Sequence, residues 1–360
     1  MPASKKNQLV GIDIGSHSIK VAEVEDSKQG MVLKNFGMIE LPHEAIMDGS
    51  IKEMEVVSLA LKNLLKNLRI NNKNSATSIS GYSVIVKKIT LPRKGEEDLE
   101  KTIQNEAEQY IPFDINDVNL DFQILPSAMK EEEDEEEEKE GLMDILLVAA
   151  KKDIVDEYIS LFQLSELNPI VLDIDAFALQ NAFEISNAEQ SGCHALVHIG
   201  AQQLTINVVR EGVSVFTRDS SYGGAQITSE IQRKFDISYE EAEKMKLGAT
   251  PIGLHQRPIL EDIFSSAVAR WSQEIKRALD FVATTFIGIK VDEILLSGGS
   301  SLIPGFSKYL SMETDLHVSK VNPFANLEVK EKLFDAAYLN YCAPLAVIAI
   351  GLALRSIGDR

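Results

Sequence analysis

The chain has 360 residues, 44% of them hydrophobic, with 55 acidic side chains against 36 basic ones and a formal net charge of −19. That length suits roughly two domains, and the apolar content is enough for a large core. So acidic a chain lacks the basic face that nucleic acid or an anionic lipid surface demands, which argues against non-specific binding to either. Two cysteines, Cys193 and Cys342, stand far apart without metal-ligand spacing. They are expected as small apolar residues in a reduced compartment. No signal-peptide stretch precedes the first strand, and the most apolar segment, Ala343 to Leu354, is about a dozen residues long, short of a bilayer. The expectation is a soluble cytoplasmic protein with no direct membrane span.

The first strong element is Leu9 to Val24. Ile12 and Ile14 alternate with small or polar residues, Gly15-Ser16-His17-Ser18 forms a tip, and Ile19, Val21 and Val24 make a second apolar run. This reads as a β-hairpin with the carboxylate of Asp13 at one strand end and Lys20 just beyond the tip. Gly15 lets the backbone approach a phosphate, while turn amides and the Ser16 and Ser18 hydroxyls donate hydrogen bonds. Lys20 adds positive charge, and Asp13 would hold Mg²⁺ through water. A half-buried hairpin with a polar tip has the same pattern, and the motif alone does not separate the two.

Met31 to Leu41 reads as a further strand. Glu53 to Leu68 reads as a helix, with Leu61, Leu64, Leu65 and Leu68 at helical spacing. Ala76 to Ile89 reads as a strand pair turning near Gly81-Tyr82, Asp98 to Ile111 as a helix stopped by Pro112, and Val118 to Leu125 as a strand. Glu131 to Glu140 holds nine carboxylates and one lysine. Like charges repel and stay solvated, so a disordered loop is expected over 130–141. The run supplies eight of the nineteen net negative charges, so the remaining chain is only moderately acidic. Asp144 to Ala150 is a continuous apolar strand, followed by a helix, Lys152 to Ser165, and a strand, Pro169 to Ile174. Residues 76–173 thus read as a compact unit inserted into a larger fold.

The opening pattern then returns. Aligning Ile14-Gly15 with Ile199-Gly200 brings Ile19 over Leu204, Val21 over Ile206 and Val24 over Val209. Asp13 falls on His198, Ser16 on Ala201 and Lys20 on Thr205. Two glycine-tipped hairpins half a chain apart suggest a duplicated fold whose loops clamp a polyphosphate from both sides; shared strand patterning is the simpler alternative. Gly223-Gly224 opens a helix whose free N–H groups suit an anion, or form a plain turn. Ser238 and Glu241 form a capping box, and Glu243 and Lys246 share one helical face, as a functional pair or a solvated ion pair. Ala267 to Phe286 is a long amphipathic helix carrying the lone Trp271. Glu293 to Gly305 is a buried strand ending in Gly298-Gly299, where a flat base can lie on backbone free of Cβ atoms. The closing apolar helix, Ala343 to Arg355, lacks a polar face and is expected to be buried.

These residues resemble the actin-like ATPase superfamily and, within it, the PilM proteins of type IV pilus assembly, related to the cell-division protein FtsA. The marks are Gly11-Ile12-Asp13-Ile14-Gly15-Ser16 with Ser18 and Lys20, the helix end Asn105 to Asp114, Lys151 with Asp173, Ser238 to Glu243, Asn322-Pro323-Phe324, and the closing Gly351 to Arg355. The resemblance implies an α/β, bilobed fold of duplicated sheet-and-helix lobes with an inserted subdomain, and ATP with Mg²⁺ in the cleft. The first lobe would comprise 1–75, 174–195 and 336–360, the inserted subdomain 76–173, and the second lobe 196–335. Gly15, Ser16, Ser18 and Lys20 would hold phosphates, with Asp13 near the metal. Gly200 and Thr205 would form the second phosphate loop, and Gly223 and Gly224 are counted among the cofactor-binding residues. Glu243 and Lys246 would reach the ribose and base, and Gly298 and Gly299 the adenosine. It further implies a groove beside the inserted subdomain for the N-terminal cytoplasmic tail of PilN, contacts with other inner-membrane and motor components, and a peripheral place at the inner membrane through those partners; self-association, as actin relatives can show, is not decided by the sequence.

One departure bears on chemistry. Where the family's second phosphate loop has Asp-x-Gly, this chain has His198-Ile199-Gly200. Histidine has no fixed negative charge and magnesium prefers oxygen ligands, so hydrolysis should suffer more than binding. The expectation is an ATP-binding module with weak or no turnover. The alternative is an actin-fold small-molecule kinase, for which the sequence offers no evident general base in the second lobe. An FtsA-like division protein would need a C-terminal amphipathic helix, which this chain does not show.

Overall fold

The structure is a computed structural model whose described residues are 8–28, 30–125, 141–187, 191–286, 288–330 and 332–358. The acidic run 131–140, with the disordered loop expected there, lies outside the described residues. In chain order the first strands are β1 (Val10–Ile14), β2 (Ser18–Ser27) and β3 (Gly30–Glu40), followed by the short β4 (Ile46–Met47) and β5 (Ser50–Ile51), helix α1 (Met54–Asn67) and β6 (Asn74–Ile79). Next come β7 (Val84–Pro92), α2 (Glu96–Ala107), β8 (Val118–Ile124) and β9 (Leu142–Lys151), then α3 (Lys152–Leu164), β10 (Asn168–Ile174) and α4 (Asp175–Ser186). The second half runs β11 (Cys193–Ile199), β12 (Leu204–Arg210), β13 (Val213–Ser220), α5 (Gly224–Phe235), α6 (Tyr239–Lys246) and α7 (Arg257–Thr285). It closes with β14 (Glu293–Ser297), α8 (Phe306–Thr314), β15 (His317–Lys320), β16 (Glu328–Val329) and α9 (Ala336–Ala353).

The duplication is visible in the two large sheets. One has the order β16-β3-β2-β1-β6-β10 and the other β13-β12-β11-β14-β15. In each, an antiparallel three-strand meander continues into two strands parallel to its first. Parallel neighbours require crossovers, supplied by α1 and α3 in the first sheet and by α7 and α8 in the second. β1 and β11 lie at the middle of their sheets and are buried almost throughout because both faces are covered. The hairpin registers match as well: Asp13 faces Lys20 and His198 faces Thr205, each one step before an apolar pair at the tip.

Pairing redraws three expected boundaries. Ala76 and Asp173 lie inside β6 and β10, which are strands of the first sheet, so the separate three-stranded sheet β7-β9-β8 spans Val84 to Lys151. The expected strand pair around Gly81 is therefore not a hairpin, because β6 and β7 belong to different sheets. Residue 196 falls inside β11, and β16 returns from the second half to pair with β3. Sequence alternation shows where strands are but not which sheet receives them.

α4 and α9 pack together between the sheets. A Cβ on Gly351 would overlap the backbone of Ala178, and one on Gly11 would overlap Ala349, so the helices and β1 approach at backbone distance. This explains the small residues of α9. The helix is longer than expected, 18 residues at mean hydropathy 1.7, and by length and composition alone it would cross a membrane; 67% of it is buried inside the fold. Both cysteines are free and buried.

Candidate functional site

The tips of β1–β2 and β11–β12 face each other across a cavity of about 820 Å³, within the range of ligand sites. Asp13, Gly15, Ser16, Ser18, Lys20, Gly200, Thr205, Gly224, Glu243, Lys246, Gly298 and Gly299 all line it, as does His198. Of the expected residues only Gly223 does not. A Cβ there would overlap Ala201 O, so Gly223 lets α5 press against the second hairpin and has a packing role.

The first hairpin turns tightly, with Gly15 N–H donating to Ser18 O at 3.2 Å. Lys20 Nζ lies 3.0 Å from Asp13 Oδ2, and both side chains are nearly buried. The two groups expected to serve phosphate and metal separately thus neutralise each other across the register.

The second hairpin is held differently. His198 Nδ1 is 3.0 Å from Ser297 Oγ on the parallel neighbour β14, and burial pushes its pKa down to about 4, so the ring is neutral. Thr205 Oγ1 donates to Asp219 Oδ1 at 2.6 Å, and Asp219 Oδ2 accepts from Gly81 N–H at 2.6 Å. Burial raises the pKa of Asp219 against those two hydrogen bonds. Gly298 has φ +83°, and a Cβ there would overlap Ile199 O, so only glycine suits this approach of β14's end to the hairpin. Beside it a Cβ on Gly299 would meet nothing within 4 Å, leaving open backbone toward the cavity.

Glu243 and Lys246 are not a solvated pair. Lys246 Nζ is 2.7 Å from Glu243 Oε2, and both side chains are largely buried. Thr228 Oγ1 donates to Glu243 Oε2 at 2.6 Å, and Lys246 Nζ donates to Thr228 Oγ1 at 2.9 Å and Gly224 O at 3.3 Å. Burial opposes the charge on Glu243, but Lys246 and these hydrogen bonds outweigh it and hold its pKa below the usual value. Burial lowers the pKa of Lys246 despite Glu243. The capping box of Ser238 and Glu241 fixes the start of α6 as expected.

Sequence reasoning missed Asp175, the first residue of α4. It lines the cavity and accepts from Ser78 Oγ at 2.5 Å; burial first, then the charge of Asp13, raises its pKa to about 6. Asp-Ala-Phe-Ala after a strand carries no motif, and only the fold brings it to the cleft. Tyr158 of α3, buried, lines the same end. His43, in the loop after β3, contacts Tyr239 of α6 with ring centroids 3.5 Å apart and the planes tilted by 32°.

A sequence model of the family described as type IV pilus assembly protein PilM matches residues 11–357. The chain belongs to the PilM family. Among solved structures, the PilM-PilN type IV pilus biogenesis complex is similar at TM-score 0.84 and 26% identity, over 98% of this chain and 99% of that one. The ethanolamine utilization protein EutJ from Carboxydothermus hydrogenoformans matches at TM-score 0.55 and 14% identity, over 98% and 91%. MreB5 of Spiroplasma citri bound to AMPPNP matches at 0.51 and 12%, over 97% and 95%. At those identities the last two show a shared fold, and that fold is actin-like. Two marks of the resemblance meet in this PilM-family chain, with Arg355 Nε 3.5 Å from Asp173 Oδ2.

The residues present fit a nucleoside triphosphate. The open backbone at Gly299 leaves room for a flat base, Glu243 and Lys246 offer polar atoms beside it, and Lys20 with the two turns supplies charge and donors. Among the described residues no group of three or more His, Cys, Asp or Glu forms a metal cage. Magnesium suits such a site as a hydrated, phosphate-bound ion with one or two carboxylates.

Proposed function

We infer that this PilM-family chain binds ATP between its two hairpins and uses occupancy, with weak or no hydrolysis, to set a surface for the N-terminal cytoplasmic tail of PilN. The observation that carries the reading is the pair of matched hairpins facing one cavity with their chemistry divided between them. Gly15, Ser16, Ser18 and Lys20 would hold the phosphates, assisted by Gly200, Thr205 and Gly224. Glu243, Lys246, Gly298 and Gly299 would hold the adenosine. Magnesium, when bound with the nucleotide through Asp13, would neutralise phosphate charge. Phosphoryl transfer depends on electrostatic positioning, and a neutral His198 supplies no fixed charge at the second hairpin. Its ring would fill the site and orient Ser297 while leaving an attacking water without a carboxylate partner.

The family match and the similarity to the PilM-PilN complex support the place in type IV pilus assembly, at the inner membrane through protein partners. Other inner-membrane and motor components, and self-association, belong to the same reading. Asp175 is the observation that favours the kinase alternative, since a carboxyl near pKa 6 is suited to accept a proton from an acceptor hydroxyl.

The test is calorimetry with ATP, and with a synthetic peptide of the PilN cytoplasmic tail in its presence and absence. Tighter or weaker peptide binding with ATP supports the reading, and equal binding removes the nucleotide response. Turnover at or above about 1 per second would overturn weak hydrolysis. His198→Asp should raise any residual rate, and transfer of phosphate to a small hydroxyl compound would favour the kinase.

A further inference from the structure

The three-stranded unit joins the rest of the chain at two joints, and the second hairpin reaches both. At the first, residues 80–83 carry the chain from β6 in the first sheet to β7. Here Asp219 accepts the Gly81 N–H at 2.6 Å through one oxygen and the Thr205 hydroxyl at 2.6 Å through the other. One carboxylate therefore grips both the backbone of the joint and the strand that lines the cleft. Gly81 has φ +84°, a conformation glycine adopts freely. The amide of Gln203, two residues before Thr205, packs over Gly81, where a Cβ would lie 3.2 Å from Oε1. Its Nε2 is buried with no hydrogen-bond partner. A buried donor without a protein acceptor is costly, and Gln203 lines the cavity, where a bound group can meet it.

At the second joint β9 runs directly into α3. Glu157 of α3 accepts from Ser50 Oγ at 3.2 Å and Ile51 N–H at 3.1 Å, which ties the helix to β5. The β4–β5 hairpin turns through Asp48 and Gly49, both at positive φ, the stiff two-residue form. Its other end is gripped by the second hairpin's loop. Asp48 N–H donates to Gln202 Oε1 at 3.0 Å, and Gln202 Nε2 donates to Ile46 O at 3.4 Å. The path from Gln202 to α3 thus consists of one side-chain amide, one stiff hairpin and one carboxylate.

We propose that Asp219 and Gln202 form a two-point latch through which the second phosphate hairpin sets the position of the three-stranded unit. Nucleotide on that hairpin then reshapes the surface this unit shares with the first sheet. The proposal rests on the reading of the chain as a nucleotide-responsive binding module and names the device that makes it responsive. Two tethers, one at each joint, fix orientation as well as distance, which a single contact cannot. Linkage makes the coupling reciprocal, so a partner that moves the unit changes nucleotide affinity by the same factor.

The test is hydrogen exchange on the full chain over 81–92 and 151–164. Wild type, Asp219→Asn and Gln202→Ala are compared with and without AMPPNP, each at about a hundred times its own measured Kd. AMPPNP should slow exchange of both segments in the wild type by about fivefold or more, the lower end of ordinary coupling. Gln202→Ala should lose the change at 151–164 and keep it at 81–92, and Asp219→Asn the reverse. Nucleotide binding with no change in either segment, or the same change in both variants, would overturn the latch. If Asp219→Asn does not fold, Gln202→Ala decides, because it removes only a half-buried loop side chain. PilN-tail affinity measured in parallel separates the two readings. Exchange that responds to nucleotide beside peptide binding that does not leaves the latch standing and removes the partner response. Failure of AMPPNP to bind the wild type overturns both.

Discussion

The two hairpins share tip length, register and sheet position, yet one carries charge and the other carries shape. The first is held by Lys20 and Asp13, a mutually compensating pair that is nearly buried. The second has no such pair. Its counterparts are a neutral His198 tied to Ser297 and Thr205 tied to Asp219, while Gly223 and Gly298 press against its backbone. Duplication supplied two equivalent frames, and the residues since placed on them divide the work. One loop keeps groups suited to phosphate, and the other is built into its surroundings so that its position matters.

The sharpest way to break this comparison is to spoil the shape of the second hairpin. Gly298→Ala places a Cβ on Ile199 O in a backbone conformation that side chains rarely adopt, and neither neighbour can yield. It should cost about 4 kcal/mol or more in denaturant unfolding. Gly200→Ala, whose Cβ would sit 3.5 Å from Gln203 O, should cost under about 1 kcal/mol. Equal effects would mean that packing does not define this hairpin.

Charge at the first hairpin comes next. Lys20→Ala leaves Asp13 buried without its partner and removes the cation proposed to hold phosphate. ATP should bind about 10²-fold more weakly by calorimetry, the equivalent of ~3 kcal/mol. Thr205→Val, at the matching register position, should lose far less.

Titration sets the two sides in opposition. The acid Asp175 has its pKa raised from 3.8 to about 6 by burial, so its contribution is full below pH ~4 and is lost as pH rises through 6. The base His198 has its pKa lowered from 6.5 to about 4, so its contribution is full above pH 6.5 and is lost as pH falls through 4. Each amounts to about 3 kcal/mol, and between pH 4 and 6 they cancel. Relative to wild type, Asp175→Asn should therefore gain stability as pH rises over that window, and His198→Gln should lose it. Urea unfolding at pH 4, 5, 6 and 7 reads both slopes, and parallel curves would refute the assignment.

The smallest effect concerns α6, which presents Glu243 and Lys246. Ser238→Ala removes one half of its capping box and should cost about 1 kcal/mol with a few-fold loss of ATP affinity.

Much of the cavity's lining was legible in the sequence because its parts are local. A glycine tip between two apolar runs specifies a hairpin, and the offset that aligned Gly15 with Gly200 also aligned the registers the structure shows. Asp175, Asp219 and Thr228 carried no such signal. Each sits in an ordinary strand or helix stretch and matters only through a neighbour more than ten residues away. Gly223 failed for a related reason, since a Gly-Gly turn looks the same whether the missing Cβ makes room for a ligand or for backbone.

By itself the sequence determined the two hairpins, most strands and helices, the family, and the loss of the second-loop acid, all properties of short segments or of their repetition. The tertiary structure alone decided which sheet each strand joins. It also decided that Lys20 pairs with Asp13, that the most apolar helix lies between the sheets, and that Asp219 bonds Gly81 while Gln202 bonds the β4–β5 hairpin. Those outcomes depend on contacts between residues far apart in the chain, and neither spacing nor composition encodes where such residues meet.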